Sequence, residues 1–407
     1  MFVSVIKKDR TLNGNVSLPP SKSISNRILI IKAICGQHFE IRNISQSTDT
    51  QFLQNILESQ NEIINAGDGG TTFRFLTAYL CLTEGEKILT GSNRMKERPV
   101  GTLVNALKEL GAQIEYTERE NYPPLLIRGG TLKGGEISVD ASGSSQFISA
   151  LLLIAPMLKE GLKLHLIGTK VSEPYIDMTL RLMGEFGIKY EKDFNSITIP
   201  YQQYNVKDIE VESDWSSAAF FYQIASLADK SLQLHLKGLK KSSIQGDKII
   251  ADLMHYFKVE TTYENDGVLL TKGNERIPKL RFNFSSYPDL VPSLLATCGA
   301  MGVNATVWGI NHLRLKESDR ITALQNELGK TGVKFYEKDE NFICEGKMNR
   351  TDLLVNTYSD HRIAMAFAPL ALLFGKIDIE NPDVVKKSFP GFWNELVKLG
   401  FEIKSYS

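Results

Sequence analysis

The sequence predicts an α/β protein of six similar units in two groups of three, with helices inside and sheets outside. Three observations carry that prediction: a repeat of about 72 residues, helices that are apolar on nearly every face, and short strands that alternate strictly between apolar and polar residues.

Six segments open on a small polar, capping-type residue and run on as ten or so mostly apolar positions, starting at Ser25, Thr71, Ser144, Ser216, Asp289 and Asp360. The last four intervals are 73, 72, 73 and 71 residues. An amphipathic series interleaves with them, starting near Glu97, Glu173, Gln245, Glu317 and Lys387. In its Glu97 member, Val100, Leu103, Val104, Leu107 and Leu110 fall on one helical face. Thr48-Asp49 opens the earliest member, which makes the first unit about 20 residues shorter than the rest. Strands such as KLHLIG (163–168) and LQLHLKG (232–238) place Leu232, Leu234 and Leu236 on one face and Gln233, His235 and Lys237 on the other. Sheets of this kind are half exposed, whereas a helix apolar all round must be buried. That order is the reverse of the common α/β barrel. Six such units make two domains, because one core rarely grows past about 250–300 residues.

The 407 residues carry 47 basic and 47 acidic side chains, a formal net charge of zero. A balanced total argues against a nucleic-acid or anionic-membrane surface and favours a small partner. MFVSVIKKDR at the start is too short in apolar residues for a signal peptide, and the longest apolar run, 363–374, is a core helix candidate rather than a membrane span. Cys35, Cys81, Cys298 and Cys344 form no CxxC, which points to inert thiols in a reducing cytoplasm.

Basic residues stand at helix starts, where the helix dipole disfavours them: Lys22, Arg27, Arg74, Arg98, Arg320, Arg362, Lys386 and Lys387. Their neighbours give them meaning. Ser21, Ser23, Ser25 and Asn26 surround Lys22 and Arg27, and Asp68-Gly69-Gly70-Thr71-Thr72 precedes Arg74. Hydroxyls, bare glycine backbone and a guanidinium together make an anion cradle. The chain has no GxxxxGK[ST] and no GxGxxG after a strand, so kinase and dehydrogenase readings fall. HExxH, EF-hand and Cys/His clusters are missing too, so neither a metal nor a cofactor is expected. His165 and His235 hold equivalent outward positions and read as a solvated strand face, while His361, beside Arg362, is the one histidine given a candidate functional role.

Eight segments, PSKSISNR (20–27), GGTTFRFL (69–76), RMKERPV (94–100), SGSSQF (142–147), EPYIDMTL (173–180), LRLKESDRI (313–321), SDHRIAMAF (359–367) and KKSFPGFW (386–393), resemble in residue and order the 5-enolpyruvylshikimate-3-phosphate (EPSP) synthase family. The resemblance implies two inside-out α/β barrel domains of three units each, residues 1–20 with 212–407 and residues 21–211, with the active site in the interdomain cleft. It also implies a transferase of aromatic amino-acid biosynthesis, joining phosphoenolpyruvate to the 5-hydroxyl of shikimate 3-phosphate and releasing phosphate through a tetrahedral intermediate.

Carried over by position, Lys22, Ser23, Arg27, Ser144, Ser145, Gln146, Ser172, Tyr175, Asp289 and Lys316 would hold shikimate 3-phosphate. Lys22, Gly70, Arg98, Gln146, Arg320, Arg362 and Lys387 would hold phosphoenolpyruvate. Addition needs a base for the 5-hydroxyl proton and an acid for the methylene carbon; Asp289 is assigned as base, Glu317 and Lys22 as the acid side. Taken singly, Asp289 and Glu317 also suit helix capping and dipole compensation. Three positions depart from the family pattern: Asp68 replaces an Asn, Phe75 a Pro and His312 an Asn. A related transferase acting on UDP-N-acetylglucosamine often carries a loop cysteine that GSNRMKERP lacks. A non-catalytic anion or nucleic-acid binder would gain nothing from carboxylates that repel phosphate. The expected state is a cytoplasmic monomer.

Overall fold

The computed structural model describes residues 1–350 and 352–406, and the chain divides into two compact units. Unit 1 comprises Met1–Ser21, Gln46–Thr48 and Glu212–Ser407; unit 2 comprises Lys22–Ser45 and Asp49–Val211.

Unit 1 holds three four-stranded sheets of one pattern: an edge strand parallel to its neighbour, then two antiparallel strands. Lys279–Asn283 and Asn304–Trp308 pair in parallel, and Asn341–Glu345 and Lys334–Lys338 complete that sheet. Asn13–Ser17, Gln233–Lys237, Gly267–Arg276 and Phe257–Glu264 repeat it, as do Leu354–Val355, Lys376–Glu380, Phe2–Ile6 and Glu402–Tyr406. A parallel pair needs a crossover, and here the apolar helix supplies it: Val291–Met301 links 279–283 to 304–308. The amphipathic helix Arg320–Lys330 and a hairpin follow, giving βαβαββ as the repeated unit.

Three helices form the middle of unit 1. Trp215–Leu227 and His361–Phe367 are buried at every residue, and Val291–Met301 at all but its last. The sheets turn one face to them: Leu234 and Leu236 are fully buried while Gln233 and Lys237 are exposed. Caps set the helix starts. Asp214 accepts from Ser217 N–H at 2.6 Å and Asp360 from Arg362 N–H at 2.9 Å. Thus Asp214 rather than Ser216 opens its helix. The apolar run 363–374 is not one helix, because Pro369 lacks the N–H that would continue it; the backbone passes through a 3-10 turn, Ala368–Leu370, into a second short helix, Ala371–Phe374.

Unit 2 has two sheets of the same pattern, Ile63–Asn65, Gly85–Thr90, Leu125–Gly129 and Gln113–Tyr116, and Gly135–Asp140, Leu162–Ile167, Ser196–Ile199 and Glu191–Lys192. Its third sheet keeps only the parallel pair, Ile41–Arg42 with Ile209–Glu210. The short first unit has therefore lost its hairpin. Lys22–Cys35, Gly70–Leu80 and Ser145–Ile154 are the helices whose apolar sides pack together inside this unit. Among the described residues, no helix is long and apolar enough to cross a membrane.

Candidate active site

In unit 1, two arginines at helix starts gather three acidic side chains. Arg320 opens the Arg320–Lys330 helix and is 1% exposed. Its Nε donates to Asp360 Oδ2 at 2.8 Å, Nη1 to Asp289 Oδ1 at 3.1 Å and Nη2 to Glu317 Oε2 at 2.8 Å. Arg362 Nη2 donates to the other Asp289 oxygen, Oδ2, at 2.7 Å. Asp289 is not a capping residue. It sits in the 3-10 turn Pro288–Leu290 that leads into Val291–Met301, and its carboxylate bridges the two guanidinium groups. Burial alone would raise the Asp289 carboxyl, but Arg362, Arg320 and Lys316 outweigh it and hold it well below the usual carboxylate range. The same pairing makes Arg320 more firmly protonated than an ordinary arginine, against the pull of burial.

Glu317 joins this cluster through Arg320, and Lys316 through its field on Asp289. His361 is buried, with Nδ1 3.8 Å from Asp360 Oδ1. Lys387 ends the 3-10 segment Pro382–Lys387, which packs on His361–Phe367. His312 faces the same groups; burial first, and then Lys316, pushes its imidazole down to about 3, so it is neutral. Asp247, in the 3-10 turn Gly246–Ile249, pairs with Ser216 Oγ at 2.5 Å, and burial together with the Asp289 charge pushes its carboxyl up to about 7.

In unit 2 one buried arginine is held differently. Arg27 is 2% exposed, and every hydrogen bond it makes goes to a neutral oxygen: Nε to Thr179 Oγ1 (2.7 Å), Nη1 to Ser23 O (2.8 Å), Nη2 to Ser149 Oγ (3.1 Å) and Tyr175 O (3.2 Å). Phe75 lies beneath the guanidinium, 5.3 Å from ring centre. Burial pulls Arg27 down to about 10. Ser23 and Tyr175 thus reach Arg27 through their carbonyls. Tyr175 N–H in turn donates to Ser172 O at 3.0 Å, and Ser172 takes a left-handed φ of 54° before Glu173–Glu185.

Gly70 meets two arginines. A Cβ there would lie 2.6 Å from both terminal nitrogens of Arg98 and 2.7 Å from Arg74 Nη1, so any side chain at this position would push the guanidinium groups aside. Arg74 Nη1 also donates to Gly70 O at 3.0 Å. Lys22 Nζ is paired to Asp49 Oδ2 at 2.9 Å, and Asp49 O accepts from Thr72 Oγ1 at 3.2 Å. Gln146 Nε2 donates to Thr71 Oγ1 at 2.9 Å beside Ser145, and Ser144 caps that helix by accepting from Gln146 N–H. Asp68 is engaged with the Ser92 hydroxyl.

Within unit 2, then, Lys22 lies with Asp49, Ser23 with Arg27 and Tyr175, and Gly70 with Arg98. Within unit 1, Asp289, Glu317, Arg320 and Arg362 come together. Sequence reasoning missed Asp49, Asp247, Ser149 and Thr179, and took Asp360 only as a helix opener. The capping signal at Asp360 was visible, but not its second task of holding Arg320.

An α/β chain that buries guanidinium groups, some against hydroxyls and carbonyls and some against carboxylates, is of the class that handles small, multiply charged anions. The sequence profile of EPSP synthase (3-phosphoshikimate 1-carboxyvinyltransferase) matches residues 6–59 and 51–396. The 3-phosphoshikimate 1-carboxyvinyltransferase of Bacteroides fragilis (strain YCH46) is 43% identical over 398 residues, covering 97% of each chain. That of Vibrio vulnificus (strain YJ016) is 35% identical over 96% of this chain and 97% of its own. A solved EPSP synthase from Acinetobacter baumannii shares the fold, with a TM-score of 0.80 over 100% of both chains at 22% identity. The chain belongs to the EPSP synthase family.

Proposed function

We propose that the protein is a 3-phosphoshikimate 1-carboxyvinyltransferase: it moves the enolpyruvyl group of phosphoenolpyruvate to the 5-hydroxyl of shikimate 3-phosphate and releases phosphate. The observation that carries the reading is the Asp289 carboxylate, held ionised between Arg320 and Arg362. A pure anion binder would not place a carboxylate there.

In this reading the 5-hydroxyl oxygen bonds to C2 of phosphoenolpyruvate while Asp289 takes the hydroxyl proton. A proton delivered to C3, with Glu317 and Lys22 as the assigned acids, completes the tetrahedral adduct. Loss of a C3 proton and departure of the C2 phosphate then restore the double bond. Without ligands, Arg362, Arg320 and Lys316 keep Asp289 a weak base. Anionic substrates on those cations screen them and return basicity to the carboxylate when it is needed. Ser23, Arg27, Ser144, Ser145, Ser172, Tyr175 and Lys316 serve shikimate 3-phosphate; Gly70, Arg98, Gln146, Arg320, Arg362 and Lys387 serve phosphoenolpyruvate.

The buried helices and repeated sheets of each unit support the finer reading of two inside-out α/β domains, residues 1–20 with 212–407 and residues 21–211. Four free cysteines support a cytoplasmic location. The deciding experiment is a phosphate-release assay in chelator-treated buffer. Release that requires both phosphoenolpyruvate and shikimate 3-phosphate, with one enolpyruvyl ether formed per phosphate, supports the proposal. No release, or equal release with UDP-N-acetylglucosamine, overturns it.

A further inference from the structure

His235 does not behave as a solvated strand residue. Its side chain is only 13% exposed, and its Nε2 is inaccessible to solvent. Glu264 Oε2 stands 3.3 Å and Asp266 Oδ1 3.1 Å from that nitrogen, yet it makes no hydrogen bond. Both oxygens are close enough to accept, so they must lie to the sides of the N–H axis rather than along it. An ion-paired imidazolium would point its proton at one of them. Flanking oxygens suit a metal ion on the axis instead: tetrahedral zinc with bonds of about 2.0–2.2 Å sets its nitrogen and oxygen ligands about 3.3 Å apart. The observed separations correspond to angles of about 95–105° at such an ion. Among the described residues, this is the one group of three or more His, Cys, Asp or Glu whose ligand atoms all fall within 4.8 Å of each other.

The backbone presets the arrangement. His235 lies on strand Gln233–Lys237, Glu264 ends strand Phe257–Glu264, and Asp266 is in the turn between that strand and Gly267–Arg276. Glu264 pairs with Gly267, which pairs with Lys237 two residues along from His235, so the register sets Glu264 near His235 across the middle strand. Gly238 N–H donates to Asp266 O at 2.7 Å and fixes the turn against the end of the His235 strand. The backbone of the turn is thus fixed before any ion binds.

We propose that His235, Glu264 and Asp266 form a binding site for a borderline divalent cation of the zinc type, with water as fourth ligand. The ion ties the hairpin turn to the neighbouring strand and takes no part in enolpyruvyl transfer. A mixed nitrogen and carboxylate donor set favours zinc over magnesium or calcium, which prefer all-oxygen sites. Titration of untagged, metal-free protein carrying Cys35→Ser with Zn²⁺ tests this by calorimetry and thermal melting. One equivalent should bind and raise the melting temperature, and His235→Gln and Asp266→Asn, each folded by circular dichroism, should each weaken that binding about 10–100-fold. Phosphate release should be unchanged in both variants. Asp266 is exposed, so its variant remains informative if His235→Gln fails to fold. No saturable binding, or binding that survives both substitutions as an adventitious ion, overturns the proposal.

Discussion

Arg27, in the second turn of the Lys22–Cys35 helix of unit 2, and Arg320, at the start of its helix in unit 1, are both almost completely buried guanidinium groups, and they are held in opposite ways. Arg320 is bonded to three carboxylates, so its charge is matched inside the protein and its protonation is reinforced. Arg27 is bonded to two hydroxyls and two carbonyls, so its positional freedom is removed while its charge is not matched by those partners, and burial weakens its hold on the proton. Ordering a cation without neutralising it costs stability and prepares it for an anion from outside. Pairing a cation with carboxylates lowers its charge toward a ligand and fixes those carboxylates in place. In the proposed reading Arg27 holds shikimate 3-phosphate, while the Arg320 cluster holds phosphoenolpyruvate and orders the carboxylate that takes the proton.

The largest expected effect separates these duties at Asp289. Asp289→Asn keeps the shape but removes the base, and turnover should fall by about 10²–10⁴ with the fold intact by circular dichroism. A rate near normal would remove Asp289 from the chemistry. Next is Arg320→Met, which leaves Asp289, Glu317 and Asp360 together without their shared cation. Urea unfolding should show a loss of about 3–5 kcal/mol. Arg27→Met removes a buried charge whose partners are neutral, so the same measurement should change by no more than about 1 kcal/mol, in either direction. Equal losses in the two variants would erase the contrast.

The smallest effect concerns Asp247. Its folded carboxyl titrates at about 7, above its ordinary value of 3.8, so the folded state binds a proton that the unfolded state has released between those values. Stability contributed by this group therefore falls as pH rises from about 4 to 7 and stays low beyond. Asp247→Asn should melt higher than the unaltered protein at pH 8, with the gain fading toward pH 4. Asp289 runs the other way: its lowered value means stability lost as pH drops below the ordinary carboxylate range. A pH-independent gain in Asp247→Asn would contradict the assignment of its raised value.

Periodicity made the buried helices and half-exposed sheets legible, because a helix with no polar face and a strand that alternates each have one place to go. Pro369 shows the limit of that reading: the apolar run 363–374 is core throughout, yet a missing N–H breaks its helix. The cations were legible by their position at helix starts, but not their partners. Arg27 bonds residues 122 and 152 positions away, and Arg320 finds Asp360 40 positions on. Those distances are set by how the units fold. Asp289 looked like a helix cap because it precedes an apolar helix, and only packing turns its side chain to Arg320 and Arg362. The alternation at 232–238 placed His235 outward correctly and could not foresee that strand pairing brings Glu264 and Asp266 to it.

Calorimetric titration of shikimate 3-phosphate, without phosphoenolpyruvate, into the unaltered protein, Arg27→Met and Asp289→Asn tests the division between holding and proton transfer most directly. Affinity should fall about 100-fold or more in Arg27→Met, the loss of a charge-assisted pair in a dry site, and by less than about tenfold in Asp289→Asn. Unchanged affinity in Arg27→Met, or equal losses in both variants, would contradict it.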